Sequence, residues 1–408
     1  MTFPETPGGA PLSPPDSKKS YLLYLHVPYC VVLCPFCSFH RVKFQRTNAQ
    51  SYFECLQQEI GLVSDNGFRF DELYVGGGTP TVLPDELNAT IELVRRLHPV
   101  TSVSVETNPD DLGKDGIRRL RDAGVNRLSV GVQSFDDELL REMQRFEKYG
   151  SGAEIRERLV RNNAVFDTIN VDMIFNFPHQ TERSLHRDLD ILIDDIGAGQ
   201  VSWYPLMASH DTRESMQRHM GVVTRSRERK YYGIIAERML AAGYTRNSAW
   251  CFSRRSGMTD EYIVDREEYL GLGSGAFSYI GGSLVASTFS IKRYKQLIAN
   301  GRTGAVRLRD MTQREQMRYF LLMQLFGGSL NEVEAESRFD GSFRRTVWPE
   351  LVTLQTLGAV RKSGKIYSLT AKGYYVWVIL MREFFAGINN LRDQMRHQHP
   401  AEPVATLD

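Results

Sequence analysis

The chain predicts an α/β fold in which six βα units curve into a partial barrel, followed by a mainly helical C-terminal region. Three observations carry this. Apolar runs of strand length recur at Tyr21–Val27, Glu72–Val75, Ser102–Glu106, Arg127–Val132, Ile169–Ile174 and Val201–Leu206. Helical patterns separate them, at Ala49–Val63, Pro84–Leu97, Gly113–Ala123, Glu154–Val165 and Glu182–Ile193, the alternation of a parallel sheet. Chemically unusual residues fall at the carboxyl end of strand after strand, where (βα) barrels collect their chemistry.

The first strand runs into YLHVPYCVVLCPFCSFH, Tyr24 to His40, which holds Cys30, Cys34 and Cys37 in a C-x3-C-x2-C array. Three thiolates close together on an irregular loop can hold three corners of a [4Fe–4S] cube and leave the fourth iron to a non-protein ligand. A zinc site completed by His40 is the alternative, but zinc sites more often carry paired C-x2-C knuckles, and no second knuckle occurs. The second strand ends in Gly76-Gly77-Gly78-Thr79-Pro80, a turn that lets backbone N–H groups approach a ligand; a tight βα turn explains it equally well. The third ends at Glu106 in VETNP, suited to a ribose hydroxyl, a sulfonium or merely a helix start. The fourth ends at Gln133, which can read ribose or adenine edges. Arg145, in MQRFEK, suits a carboxylate or is an exposed helix charge. The fifth carries Asp172 between Val171 and Met173, a carboxylate too costly to bury without a partner. The sixth ends near Tyr204 and Pro205.

With 408 residues, 42% hydrophobic, the chain is long enough for two or three domains. A net charge of +1 gives no argument for nucleic acid. No apolar run approaches the roughly 18 residues of a membrane span. Five cysteines and no signal peptide speak against a disulfide framework and for a reducing, cytoplasmic setting. Cys55 reads as a core residue, and Cys251 beside Trp250 as a small buried hydrophobe or a reactive site thiol. The expected divisions are a disordered tail at 1–20, the barrel at 21–243, a connector or lid at 244–310, a C-terminal unit at 311–397 and a second disordered tail at 398–408. In the C-terminal unit, helices at Gln313–Phe326 and Thr346–Leu357, two short strands within Ala359–Thr370 and a long helix Ala371–Arg396 give a winged-helix-like order. The long helix carries an apolar stripe of Trp377, Met381, Phe384, Phe385, Ile388, Leu391 and Met395. Such a stripe packs into a core, or it receives an apolar substrate or touches a membrane.

Taken together, YLHVPYCVVLCPFC, YVGGGTPTVL, VETNP, AGVNRLSVGVQSF, VDMIFNFPHQ and YLGLGSGAFS resemble the oxygen-independent coproporphyrinogen oxidase family of radical S-adenosylmethionine (SAM) proteins over residues 21 to about 300. The resemblance implies a radical SAM barrel with the [4Fe–4S] cluster on Cys30, Cys34 and Cys37. It implies two SAM molecules on Tyr24, Gly77, Gly78, Thr79, Glu106, Gln133, Arg145 and Asp172, with Phe36, Pro205 and Phe277 as further contacts. The oxidases of this family carry another Cys two residues after the third, where this chain has Phe39. The family's haem chaperones lack that Cys too, but usually have an acidic residue where Ser38 stands. FNFP replaces a glycine-containing turn, and residues 250–265 do not follow the oxidase pattern. The Met381–Phe385 stretch, the connector and the apolar tail look most similar to class C radical SAM methyltransferases, in particular the menaquinone carbon-8 enzymes. That likeness implies methylation of an sp² ring carbon, with Tyr204 or Tyr279 as candidate base. It also implies a prenylated quinone substrate, a flavodoxin- or ferredoxin-type electron donor and contact with the inner membrane face. The alternatives are a haem chaperone, with His26 or His179 as a ligand, and a cyclopropanase or methyltransferase acting on another natural-product ring.

Overall fold

The computed structural model describes residues 5, 6, 8–255 and 266–397. Six parallel strands form its centre: β1 (Tyr21–Val27), β2 (Phe70–Gly77), β3 (Ser102–Thr107), β4 (Arg127–Gln133), β5 (Thr168–Phe175) and β6 (Gln200–Pro205), paired in chain order. All seven residues of β1 are buried, as expected for a strand covered on both faces. The helices between them are α1 (Arg46–Asp65), α2 (Pro84–Leu97), α3 (Lys114–Asp122), α4 (Asp137–Glu142), α5 (Gly152–Asn162) and α6 (Glu182–Asp190). Their starts are written locally. Pro84 opens α2, the Asp136 carboxylate accepts from the N–H groups of Glu138 and Leu139, and Ser151 and Glu154 close a capping box.

The span read as a connector is a continuation of the same sheet. β7 (Cys251–Ser253) runs antiparallel to β6. β8 (Tyr269–Leu272) lies parallel to β1, and β9 (Phe277–Ile280), β10 (Ser283–Ser287) and β11 (Ala305–Asp310) follow as antiparallel neighbours. Buried Glu59 on α1 ties this extension to the barrel, accepting from Gly273 N (2.9 Å), Gly304 N (2.6 Å) and Tyr294 Oη (2.7 Å). Of the expected 1–20 tail, the stretch around Glu5 to Ala10 packs on β11 rather than hanging free: Thr6 N donates to Val306 O and Ala10 N to Ala305 O, both at 2.7 Å. The physical reason is that β11 is a sheet edge, and the tail covers it. The tail expected at 398–408 and residues 256–265 lie outside the described residues.

Downstream come helices α7 (His210–Met220), α8 (Arg225–Ala241), α9 (Ile291–Ala299), α10 (Gln313–Phe326), α11 (Glu332–Arg338), α12 (Trp348–Thr356) and α13 (Ala371–His397). A small antiparallel sheet in the order Ser329–Asn331, Ile366–Leu369, Val360–Ser363 completes the C-terminal region. The apolar stripe of α13 is not a free membrane face. Trp377, Met381 and Met395 are buried, and Trp377 Nε1 donates to Leu322 O at 2.9 Å. Phe385 packs against Trp250 at 5.7 Å, and Ile388 and Leu391 pack on Phe277 and Phe289. The end of the helix reaches the cysteine loop: Asn390 Oδ1 accepts from His210 N at 2.9 Å, and the Arg392 guanidinium lies over the Phe39 ring at 5.2 Å. Among the described residues no helix is long and apolar enough to cross a membrane.

Burying one large apolar side chain contributes about 1.5–3 kcal/mol, so losing Trp377, Met381 and Met395 removes an amount comparable with the whole net stability of a domain. A stop codon before Trp377 is therefore expected to yield insoluble protein without iron. Soluble yield and iron content check this, and a soluble, iron-loaded fragment would contradict the packing.

Candidate functional site

The carboxyl ends of β1–β6 meet the cysteine loop, which is closed at its base. Tyr29–Cys30 pairs in parallel with Val42–Lys43, and Phe44 N donates to Cys30 O at 2.8 Å. Inside the loop the Arg41 guanidinium acts as a clamp: Nη2 donates to Cys34 O (2.7 Å) and Cys37 O (2.8 Å), and Nε to Cys37 O (3.2 Å). Phe36 wedges the loop edge-on against Phe177 with centroids 6.0 Å apart. Cys30 and Cys34 are buried, Cys37 is half-buried, and all five cysteines are free thiols.

A polar chain joins two of these thiols across the strand ends. Thr79 Oγ1 stands 3.6 Å from Cys30 Sγ and accepts from Asn108 Nδ2 at 3.0 Å. Asn108 Oδ1 accepts from Arg145 Nη2 at 3.1 Å, and Arg145 Nη1 points at Cys34 Sγ from 3.5 Å. Arg145 is buried, stacked over Tyr149 and bonded to Gly131 O, not an exposed helix charge. Its Nε has no protein acceptor among the described residues. Asn108 and Arg41 were missed in the sequence; Asn108 follows Thr107 at the end of β3, which is the one available signal.

The glycine turn does something other than present free amides. Gly77 N donates to Glu106 Oε2 (3.0 Å), Gly78 N to Val27 O (2.8 Å) and Thr79 N to Tyr29 O (2.8 Å). A Cβ on Gly78 would sit 2.8 Å from the Pro28 carbonyl carbon and Tyr29 O, so the glycine allows the turn to lie directly under the cysteine loop. Gln133 is in the left-handed region (φ 72°), and its buried Oε1 has no protein donor among the described residues. A non-glycine residue held there is strained. Asp172 is half-buried and accepts from Ser129 Oγ on the neighbouring β4 (2.8 Å) and from Asn170 Nδ2 on its own strand (2.7 Å). Burial pushes the Glu106 carboxyl up to about 7, helped by the field of Asp172 and opposed by the Gly77 N–H.

Tyr24, Pro205 and Phe277 are less central. Tyr24 Oη is 2.9 Å from His26 Nδ1, and Pro205 ends β6. Phe277 lies in the extension beneath Arg392 at 5.6 Å. Tyr279 packs against Tyr319 at 4.8 Å. His26 is buried, its Nε2 3.0 Å from His40 O, and burial pulls its imidazole down to about 4. It offers no face to haem. His40 is also buried, with Nε2 3.1 Å from Ser274 Oγ. Its second nitrogen has no partner among the described residues.

These residues fit a cube better than a single ion. Three thiols on one loop, with the buried His40 held towards Ser274, are the donor set of a three-thiolate cluster. Burial pushes the Cys30 thiol up to about 11, partly offset by the Thr79 hydroxyl, so metal binding there displaces a proton.

Two expectations follow. Replacing Cys30, Cys34 or Cys37 by Ala should remove iron after anaerobic reconstitution, and Cys55→Ala should not. Arg41→Met should give a cluster that a chelator strips about tenfold faster, since each charge-assisted bond contributes about 1.5–3 kcal/mol; iron content and chelation rate test this. In the ligand-free protein, Glu106 and buried Asp188, raised from 4.5 and 3.8 respectively, each to about 7, contribute stability that is complete below pH 4 and is lost as pH rises through 7. Glu106→Gln should flatten that decline in denaturant titrations at pH 5 and 8, by an amount on the order of 3 kcal/mol.

The sequence pattern of the radical SAM superfamily matches residues 24–192. The heme chaperone HemW of Bacillus subtilis (strain 168) is 31% identical over 307 residues, covering 72% of this chain and 80% of that protein. The HemW of Lactococcus lactis is 27% identical over 370 residues, covering 88% and 95%. The oxygen-independent coproporphyrinogen III oxidase of Bradyrhizobium diazoefficiens is 26% identical over 389 residues, covering 88% and 83%. In fold, the chain is similar to the coproporphyrinogen III oxidase HemN of Escherichia coli, with a TM-score of 0.76 and 24% identity over 89% of this chain and 90% of that one. These relatives are named as haem chaperones and oxidases, which overturns the expected quinone methyltransferase and its class C assignment. A radical SAM domain implies a [4Fe–4S] cluster and SAM. The thiols at the end of β1 and the match along most of its length to a HemW protein place this chain in the HemN/HemW coproporphyrinogen oxidase-like family of radical SAM proteins.

Proposed function

We propose that this protein is a haem-binding chaperone of the HemW type and does not decarboxylate coproporphyrinogen. The observation that carries the reading is Phe39. It stands two residues after Cys37, where the resemblance gives the oxidases a further cysteine, and its ring packs under Arg392. A phenyl ring supplies neither a ligand nor a thiol to an oxidative decarboxylation. The names of the HemW relatives support the same reading.

In this proposal Cys30, Cys34 and Cys37 hold the cluster, and Arg41 fixes the loop that presents them. When bound, the cluster supplies the electron that splits SAM at its open iron. Thr79, Asn108 and Arg145 hold two of the thiols in register. Arg145 Nε and Gln133 Oε1, which lack protein partners among the described residues, offer a donor and an acceptor to SAM. Glu106 and Asp172 supply negative charge for its sulfonium and ribose. Tyr24, Phe36, Gly77, Gly78, Pro205 and Phe277 shape the walls. The proposal keeps two SAM molecules per chain, as the family resemblance implies, and a flavodoxin- or ferredoxin-type electron donor.

Titration of the reconstituted, full-length protein with ferric haem is expected to give a saturable Soret shift at about one haem per chain. Anaerobic incubation with SAM, reductant and coproporphyrinogen III is expected to give no decarboxylated product. Formation of protoporphyrinogen IX, or the absence of any haem binding, overturns the proposal. Equilibrium dialysis with labelled SAM counts the molecules bound.

A further inference from the structure

We propose that Asp188 is a positioning residue for SAM: from α6 it holds the turn Gln133-Ser134-Phe135 and so aims the Gln133 amide into the site. The inference rests on the reading of Gln133 as a SAM contact given above and adds the residue that keeps it there. Asp188 is buried, and its two carboxylate oxygens go to the two residues that follow Gln133. Oδ1 accepts from Phe135 N at 2.8 Å, and Oδ2 from Ser134 Oγ at 2.9 Å. Ser134 Oγ in turn accepts from Asp136 N at 3.1 Å, and the Asp136 carboxylate caps α4. One carboxylate from a later βα unit thus fixes the exit of β4.

Gln133 needs such a holder. Its φ is 72°, a conformation that a residue with a side chain keeps only when its surroundings impose it. The ladder between β4 and β5 slips at this point: Gly131 pairs with Asp172 and Gln133 with Met173, which leaves Val132 as the extra residue of a bulge. A bulge of this kind re-aims the side chain next to it. The Gln133 amide lies back over Gly131, where an added Cβ would come 3.3 Å from Nε2. Its buried Oε1 is left without a protein donor among the described residues. Ser134 and Phe135 are buried, and the start of α5 closes on them from behind: a Cβ on Gly152 would fall 1.9 Å from Phe135 O. Without the Asp188 carboxylate, the Phe135 N–H and the Ser134 hydroxyl lose their acceptor in a space that water does not reach. The turn then relaxes to satisfy them, and the strained residue before it is the first to move.

The test measures SAM affinity of the reconstituted, full-length protein by equilibrium dialysis, alongside iron content. Asp188→Ala is expected to keep its iron and to bind SAM about tenfold more weakly, the scale of one lost charge-assisted hydrogen bond. Asp188→Asn still accepts from Phe135 N and bonds to Ser134, and should restore most of the affinity. The deciding measurement is a double-mutant cycle with Gln133→Ala. If Asp188 acts through Gln133, Asp188→Ala weakens SAM by less than about twofold in the Gln133→Ala background. A larger further loss there, or wild-type affinity in Asp188→Ala alone, overturns the assignment and leaves Gln133 as a SAM contact. If Asp188→Ala is insoluble, Ser134→Ala, which removes one of the two bonds and leaves the carboxylate, takes its place in the cycle and is judged in the same way. If Gln133→Ala binds SAM as wild type does, the reading of Gln133 falls, and the assignment with it.

Discussion

One line of polar contacts begins and ends on a thiol, and the rest of the barrel's carboxyl face is arranged to keep it in place. Cys30 and Cys34 from one loop, and Thr79, Asn108 and Arg145 from three others, meet because β1–β4 run parallel in chain order. A buried guanidinium is costly unless its donors are met. Arg145 meets this at its two terminal nitrogens with a side-chain amide, a backbone carbonyl and a thiol, leaving Nε open, and a stacked Tyr149 covers its face. The glycine turn follows from the same constraint, since a side chain on Gly78 would push the turn away from the cysteine loop it supports.

Much of this was legible in the sequence, and the part that was not has physical reasons. Strand positions and the cysteine array were readable because apolar period and cysteine spacing are local signals. Asp172 was read as a buried carboxylate and is half-buried, and its contact with Ser129 depends on strand register, which single residues do not report. Arg41 was invisible because a lone arginine after a cysteine motif carries no spacing signal; its role exists only once the loop has folded back on it. The N-terminal stretch looked disordered from its Pro, Gly and Ser content. Composition records local preference and says nothing of an open sheet edge nearly three hundred residues later.

The misreading of substrate has a different origin. The motifs shared along the barrel serve the cofactors, and proteins with different tasks keep them in common. The distinguishing signal was taken from the apolar stripe of α13, and a stripe reports that something covers it without naming what. Here the cover is the protein's own Leu322, Trp250, Phe277 and Phe289. The same packing explains why Arg392 and Asp393 are buried on a helix that reads as amphipathic: they face the cysteine loop and the start of α7, not water.

The contact between the two ends of the chain also imposes an order of events. The cysteine loop leaves the ribosome about three hundred and fifty residues before Arg392, whose guanidinium lies over its Phe39 ring. Domains made N-terminal first can fold while the remainder is still being made. Iron and sulfide delivered to the nascent barrel therefore meet a loop whose Phe39 is not yet under Arg392, whereas in the finished chain that contact is already made. Biogenesis and repair of this centre are then different processes, separated by one helix end.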